Sequence, residues 1–224
     1  FTAASVVCVR PAISKPTTTA PVVGETAIPF LLATVEAATL VTLSVSVGVT
    51  QVPSPRKNVE AEPPIGRVPT MGSLHNGHIS LVRRARSENK TVVTSILFNP
   101  LQFESKDDLK SYPRSLDEDL NQLRKECVDV AFAPLTAEMY PRGFDTTVKL
   151  RLASRLPESQ FRSGHFDGVS TVVCKLLSLT RADRAYFGQK DALQGVIIDQ
   201  MNSDLNLGAK IIMMPTVREM DGLA

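Results

Sequence analysis

Two histidines three positions apart, His75 and His78, sit in the stretch Pro69-Thr70-Met71-Gly72-Ser73-Leu74-His75-Asn76-Gly77-His78. A short apolar run gives way there to helical periodicity. A helix N-terminus presents unpaired N–H groups and partial positive charge, so it attracts phosphate. Imidazoles at that place can donate hydrogen bonds to phosphate oxygens as charge builds during attack at an α-phosphorus. Gly72 and Gly77 allow the backbone to approach a ligand closely. A bare His-x-x-His also fits a pair of surface or core histidines. The preceding Pro-Thr-Met-Gly, the internal glycine and the strand–helix setting favour phosphate. A zinc site would need a third ligand, and no His-Glu-x-x-His pattern occurs, so no metal ligands are assigned.

Three further clusters carry usable groups. In Asn99-Pro100-Leu101-Gln102-Phe103 the amides of Asn99 and Gln102 suit a small hydroxylated acid, because an amide pairs with both hydroxyl and carboxylate; a plain turn is the alternative. In Gly188-Gln189-Lys190-Asp191-Ala192-Leu193-Gln194, Lys190 can neutralise phosphate as a point charge. Asp191 can cap a helix or bind a ribose hydroxyl, and Gln194 shares its face one turn on. The bland reading is a cap followed by a solvated face. The third and last histidine, His165, lies in Arg162-Ser163-Gly164-His165-Phe166, where Arg162 could meet phosphate or carboxylate or simply line a surface loop. The charged runs Lys106-Asp107-Asp108 and Asp117-Glu118-Asp119 read as solvated faces. Met213, Met214 and Cys174 read as packing.

The elements that must position these residues follow from periodicity. Short strands are expected at 65–69, 91–98, 128–133, 148–152, 184–187 and 210–214. Helices are expected after His78, at 116–126 (Leu116, Leu120 and Leu123 share a stripe), at 168–180 and at 191–201. Strands alternating with helices imply an α/β fold: a Rossmann-like, doubly wound parallel sheet with helices on both faces. Ligands bind such sheets beyond the carboxyl ends of the strands. There the segments 69–78, 99–103, 188–191 and 215–218 should converge.

Composition bounds the rest. The chain has 224 residues, 43% hydrophobic and 21% charged, with net charge +2 and pI near 8.5. That charge is too mild for a nucleic-acid binder. Three distant cysteines form no disulfide framework, which points to a reduced, cytoplasmic setting. Residues 1–64 hold eight charged side chains, against forty in the remaining 160, and eight of the fifteen prolines. A boundary is therefore placed near Pro63-Pro64. Residues 1–64 read as a low-complexity or disordered extension, with organelle targeting as the alternative. The apolar run 28–52 contains Glu36 and many β-branched and hydroxyl residues, a poor membrane span. Residues 65–224 read as one ligand-binding domain.

Taken in order, residues 69–78, 99–103, Tyr112-Pro113-Arg114, 164–169, 188–191 and Pro215-Thr216-Val217-Arg218-Glu219 with Asp221-Gly222-Leu223-Ala224 resemble the pantothenate synthetase (pantoate–β-alanine ligase) family. This is a branch of the H-x-G-H nucleotidyltransferases. The likeness runs over about residues 68–224. It implies a Rossmann-like domain that joins pantoate to AMP with release of pyrophosphate, after which β-alanine attacks the acyl adenylate, with ATP and Mg2+ required. By the same resemblance Met71, Gly72, Ser73, Leu74, His75, Asn76, Gly77 and His78 line the ATP site, with His75 and His78 on the phosphates and His78 as proton donor. Gly188, Gln189, Lys190 and Asp191 touch ATP, Lys190 through phosphate and Asp191 through ribose, and Val217 meets adenine through its backbone. Gln102 and Gln194 hold pantoate, with Gln102 also near β-alanine; Asn99, Arg162 and His165 lie beside them. A homodimer is also implied.

Three departures accompany the resemblance. Family members continue with Met-Ser-Ser-Arg and a smaller C-terminal domain, so the chain is expected to lack that domain and to have impaired activity. The first strand carries Gly66 and Arg67 where apolar residues are expected. Gln189 stands where the family usually has Glu. The alternatives are a non-catalytic nucleotide-binding remnant, or another transferase such as a cytidylyltransferase, against which Gln102 and Gln194 argue.

Overall fold

The computed structural model describes residues 64–103, 115–151, 153 and 164–224, together with the backbone of 6–8. The expected positions Arg162, 106–108 and 112–114 lie outside them. Strands are β1 (Val6–Cys8), β2 (Ile65–Thr70), β3 (Thr91–Ile96), β4 (Val130–Phe132), β5 (Arg184–Gly188) and β6 (Lys210–Met214). Helices are α1 (Asn76–Glu88), α2 (Leu116–Lys125), α3 (Thr136–Met139), α4 (His165–Thr180) and α5 (Ala192–Asp204). The sheet order is β1-β4-β3-β2-β5-β6. Strands β2 to β6 run parallel, and β1 adds an antiparallel edge with Val6 opposite Phe132.

Side chains alternate between two cores. Val68, Val92, Ala131 and Tyr186 pack with Leu81, Val82 and Ala85 of α1 and Leu120 and Leu123 of α2. Val93, Phe132, Ala185 and Phe187 pack on the other face with Val169, Val173 and Leu177 of α4 and Ile197, Ile198 and Met201 of α5. Burial on both faces is why the strands read as continuous apolar runs.

The strand order reverses direction between β2 and β5, which makes this the switch point where such sheets open a crevice. Pairing between the two strands is confined to Gly66–Arg184 and Arg67–Ala185. Beyond that point β2 stays paired with β3 to Thr70, and β5 with β6 to Gly188. Their carboxyl ends are thus free of each other, and these ends carry the histidine and lysine motifs.

The structure differs from the sequence expectation in particular places. Residues 148–150 form no strand: Val148 N–H donates to Thr171 Oγ1 of α4 at 3.0 Å, and Lys149 pairs with Asp167 at 3.3 Å. Helix α4 starts at His165, three residues earlier than expected, because Gly164 enters it at φ +79°. The two odd residues of β2 have different fates. A Cβ on Gly66 would lie 2.5 Å from Asn89 Nδ2, which donates to Ala85 O and Tyr186 Oη; glycine therefore makes room for the α1 cap. Arg67 is wholly buried beside Phe132, and its guanidinium nitrogens have no hydrogen-bond partner among the described residues. Burial pushes its pKa down to about 9.

Candidate functional site

The site begins where β2 ends. Thr70 Oγ1 donates to Ser95 O at 2.6 Å, and Leu97 N–H donates to Thr70 O at 3.1 Å, so the strand tip is fixed to β3. The chain then turns through two consecutive left-handed residues, Gly72 (φ +87°) and Ser73 (φ +51°). The left-handed region costs a non-glycine residue about 1–2 kcal/mol, so Ser73 needs a restraint. Asp119 of α2 supplies one. Its carboxylate, 1% exposed, accepts from Ser73 N–H at 2.9 Å and Leu74 N–H at 2.8 Å. Hydrogen bonds to a charged group contribute about 1.5–3 kcal/mol each, enough to outweigh that strain. Gln122, one turn along α2, donates to Leu74 O at 3.2 Å. Asp119 is therefore not on a solvated face, as its acidic neighbours suggest. It stands four residues before Leu123, on the buried face of α2, whereas Leu116 is exposed, and the register with Leu123 was the available signal.

After this turn His75 caps α1. Its Nδ1 accepts from Gly77 N–H at 3.1 Å, while His78 Nδ1 accepts from His75 N–H at 3.4 Å. Each Nδ1 is thus an acceptor, which leaves Nε2 as the donor nitrogen of each ring. The rings lie 4.1 Å apart between centroids, tilted by 43°. Burial, then the His75 ring, then the Lys190 ammonium push the His78 pKa down to about 4. At neutral pH His78 is an uncharged hydrogen-bond donor. Lys190, just beyond the carboxyl end of β5, is one of the charges that disfavour protonated His78 in α1.

A second polar network adjoins the first. Buried Asn99 donates through Nδ2 to Gln102 Oε1 at 2.9 Å and to Gly168 O at 3.1 Å. Its Oδ1 accepts from Leu101 N–H and from the Tyr140 hydroxyl at 2.7 Å. Burial pushes the Tyr140 pKa up to about 12, so it stays a donor. With Oε1 engaged, Gln102 presents Nε2, which lies 2.9 Å from the Met71 sulfur. His165 Nδ1 meets Gln102 O at 2.9 Å. Close packing sets this turn against α4: a Cβ on Gly168 would fall 2.2 Å from Leu101 O. Tyr140 was missed at the sequence level, and nothing in Met139-Tyr140-Pro141 marks it out.

The remaining expected residues lie on the same rim. Gly188 ends β5 with open space where a Cβ would point. Gln189, Lys190 and Asp191 form a 3-10 turn and are exposed. Asp191 makes no side-chain capping bond, so its carboxylate is not committed to α5. Gln194 is half-buried on the first turn of α5, Asn76 is exposed on the first turn of α1, and Val217 is 39% exposed just beyond β6. The hydrogen bonds join Met71, Asn99, Gln102 and His165, and a ring contact and a hydrogen bond join His75 and His78. Asp191 and Gln194 follow β5 and Val217 follows β6, on the same rim. Among the described residues no three His, Cys, Asp or Glu side chains are grouped to hold a metal ion, and no helix is long and apolar enough to cross a membrane.

Comparison with known proteins agrees with this architecture. The family model for pantoate-beta-alanine ligase matches residues 46–224. A pantothenate synthetase of Roseiflexus castenholzii is 56% identical over 160 residues, covering 71% of this chain and 58% of the relative. One of Caldicellulosiruptor saccharolyticus is 51% identical over 160 residues, covering 71% and 57%. The solved pantothenate synthetase from Thermus thermophilus superposes with a TM-score of 0.69 at 46% identity, over 72% of this chain and 59% of that one. The Francisella tularensis pantoate-beta-alanine ligase, solved in complex with beta-gamma ATP and beta-alanine, gives 0.69 at 45% identity, over 72% and 62%. The chain spans a little under three fifths of the length of the curated relatives it matches. By the extent of the family match and the level of identity, this chain belongs to the pantoate–β-alanine ligase family.

Proposed function

We propose that residues 65–224 form the adenylating centre of a pantoate–β-alanine ligase, with residues 1–64 as an N-terminal extension from which Val6–Cys8 joins the sheet edge. In the reaction, a pantoate carboxylate oxygen attacks the α-phosphorus of ATP and pyrophosphate leaves. The β-alanine amine then attacks the acyl carbon, AMP leaves, and pantothenate forms as the amine releases a proton. The observation that carries this reading is the pair of imidazoles at the start of α1, each with Nδ1 accepting a backbone N–H and Nε2 left to donate, at the switch point of the sheet. In-line attack on phosphorus is served by positioning and by stabilising charge on the phosphate oxygens. His75 and His78 donate to those oxygens and Lys190 adds a fixed positive charge. Donation by His78 is a hydrogen bond from a neutral ring.

The other roles follow from available groups. Gln102 Nε2 now faces a sulfur, a weak acceptor, and would exchange it for a pantoate oxygen. Gln194 would hold the other end of pantoate. The Asp191 carboxylate, free of a capping bond, suits a ribose hydroxyl, and Gly188 leaves space for the nucleotide. The backbone at Val217 would meet adenine. The described residues offer no carboxylate cage for magnesium, so Mg2+ would arrive on the ATP phosphates as part of the substrate, as this ion commonly does. The bound ATP and β-alanine of the Francisella tularensis relative support both ligands for this chain. A dimer and a cytoplasmic setting belong to the same proposal.

The test is pantoate-dependent exchange of labelled pyrophosphate into ATP. Exchange that requires pantoate is expected. Nucleotide binding without exchange would instead identify a non-catalytic binder, and exchange with CTP or unrelated acids would identify a different transferase.

A further inference from the structure

We propose that Asp119 is a positioning residue: its buried carboxylate clamps the left-handed turn at Gly72 and Ser73 and so sets His75 and His78 against the nucleotide phosphates. This rests on the reading of the rim as the ATP site. The clamp reaches across 45 residues of sequence to Leu74, from α2, which packs on the same face of the sheet as α1. It grips two consecutive amides, while Gln122 from the next turn of the same helix grips the carbonyl of Leu74. The peptide leading into His75 is therefore held from both sides. The fit is close, since a Cβ on Gly72 would lie 2.9 Å from Asp119 Oδ2.

A second consequence concerns the donor set. Ser73 and Leu74 would otherwise offer two backbone N–H groups toward a phosphate, as glycine-rich loops do. Both are committed to the carboxylate, and the Gly77 N–H is committed to His75 Nδ1. Phosphate recognition on this loop falls to the imidazoles, whose placement depends on the turn. A preorganised donor loses less freedom on binding than a mobile one.

The experiment compares the full chain with Asp119→Asn and Asp119→Glu. It reads amide exchange at Ser73 and Leu74, imidazole resonances of His75 and His78, and ATP affinity. In the unsubstituted chain both amides should exchange slowly although they lie in a loop; rapid exchange there would overturn the clamp outright. Asparagine keeps the shape but turns an NH2 toward one of the two donors. Exchange should quicken about tenfold and ATP affinity fall about tenfold, the equivalent of one charge-assisted bond. Glutamate keeps the charge but has no room beside Gly72, so the same losses are expected. Retained affinity in Asp119→Glu would make the residue a source of charge alone and overturn the positioning role. If activity is measurable, KM for ATP should rise while KM for pantoate holds. Faster exchange with unchanged ATP affinity would reduce Asp119 to a structural residue and overturn the proposal. Should the unsubstituted chain fail to bind ATP, the functional reading falls, while amide exchange and the imidazole resonances still judge the clamp.

Discussion

At His78, burial and then the neighbouring His75 and Lys190 favour the neutral ring, moving its pKa from 6.5 to about 4. The unfolded chain therefore binds a proton near pH 6.5 that the folded chain refuses until about pH 4. Stability from this group is complete above 6.5 and is lost as pH falls through that window. The loss is on the order of 2–3 kcal/mol. Urea unfolding at about pH 7, 5.5 and 4 should show it, and His78→Gln should flatten the decline; an unchanged pH slope in that variant would contradict the assignment. Residues of this kind were legible in the sequence because imidazole and amide side chains carry particular chemistry at particular places. Asp119 was hidden by Asp117 and Glu118, which share its charge but face outward, and its register with Leu123 sets it apart. Tyr140 acts through a partner 41 positions away, Asn99, which no local pattern reveals.

Among the elements, β2 carries the one clear conflict between sequence and packing. Arg67 sits in a central strand with no hydrogen-bond partner among the described residues and with the Phe132 ring beside it. Replacing buried charge with well-packed apolar side chains commonly leaves stability unchanged or raises it by about 1–4 kcal/mol. Arg67→Leu should raise the urea midpoint without altering the slope of the transition; a lower midpoint would show that the guanidinium has a stabilising partner. The parallel strands and long helices were readable because each buries an apolar run or stripe. The expected strand at 148–152 failed because its backbone turns to the Thr171 hydroxyl, a side-chain partner that periodicity does not encode. Helix α4 begins earlier than expected because a left-handed glycine sets its start.

For the molecule as a whole, alternation of strands and helices announced a doubly wound sheet, but not which strands would be neighbours. The order β4-β3-β2-β5-β6 makes neighbours of β2 and β5, the strands that lead into residues 75–78 and residue 190, across a reversal of direction. Pairing of β2 with β5 stops at Arg67 and Ala185, so the crevice opens beneath the groups that would use it. Convergence of separate motifs on one rim follows from that order and from the rule that ligands bind at carboxyl ends. The most direct measurement is a crystal structure of the chain with a non-hydrolysable ATP analogue and Mg2+. The account predicts phosphate oxygens within hydrogen-bond distance of His75 Nε2, His78 Nε2 and Lys190 Nζ, in the crevice between β2 and β5. A nucleotide bound elsewhere, or one whose phosphates point away from both imidazoles, would contradict it.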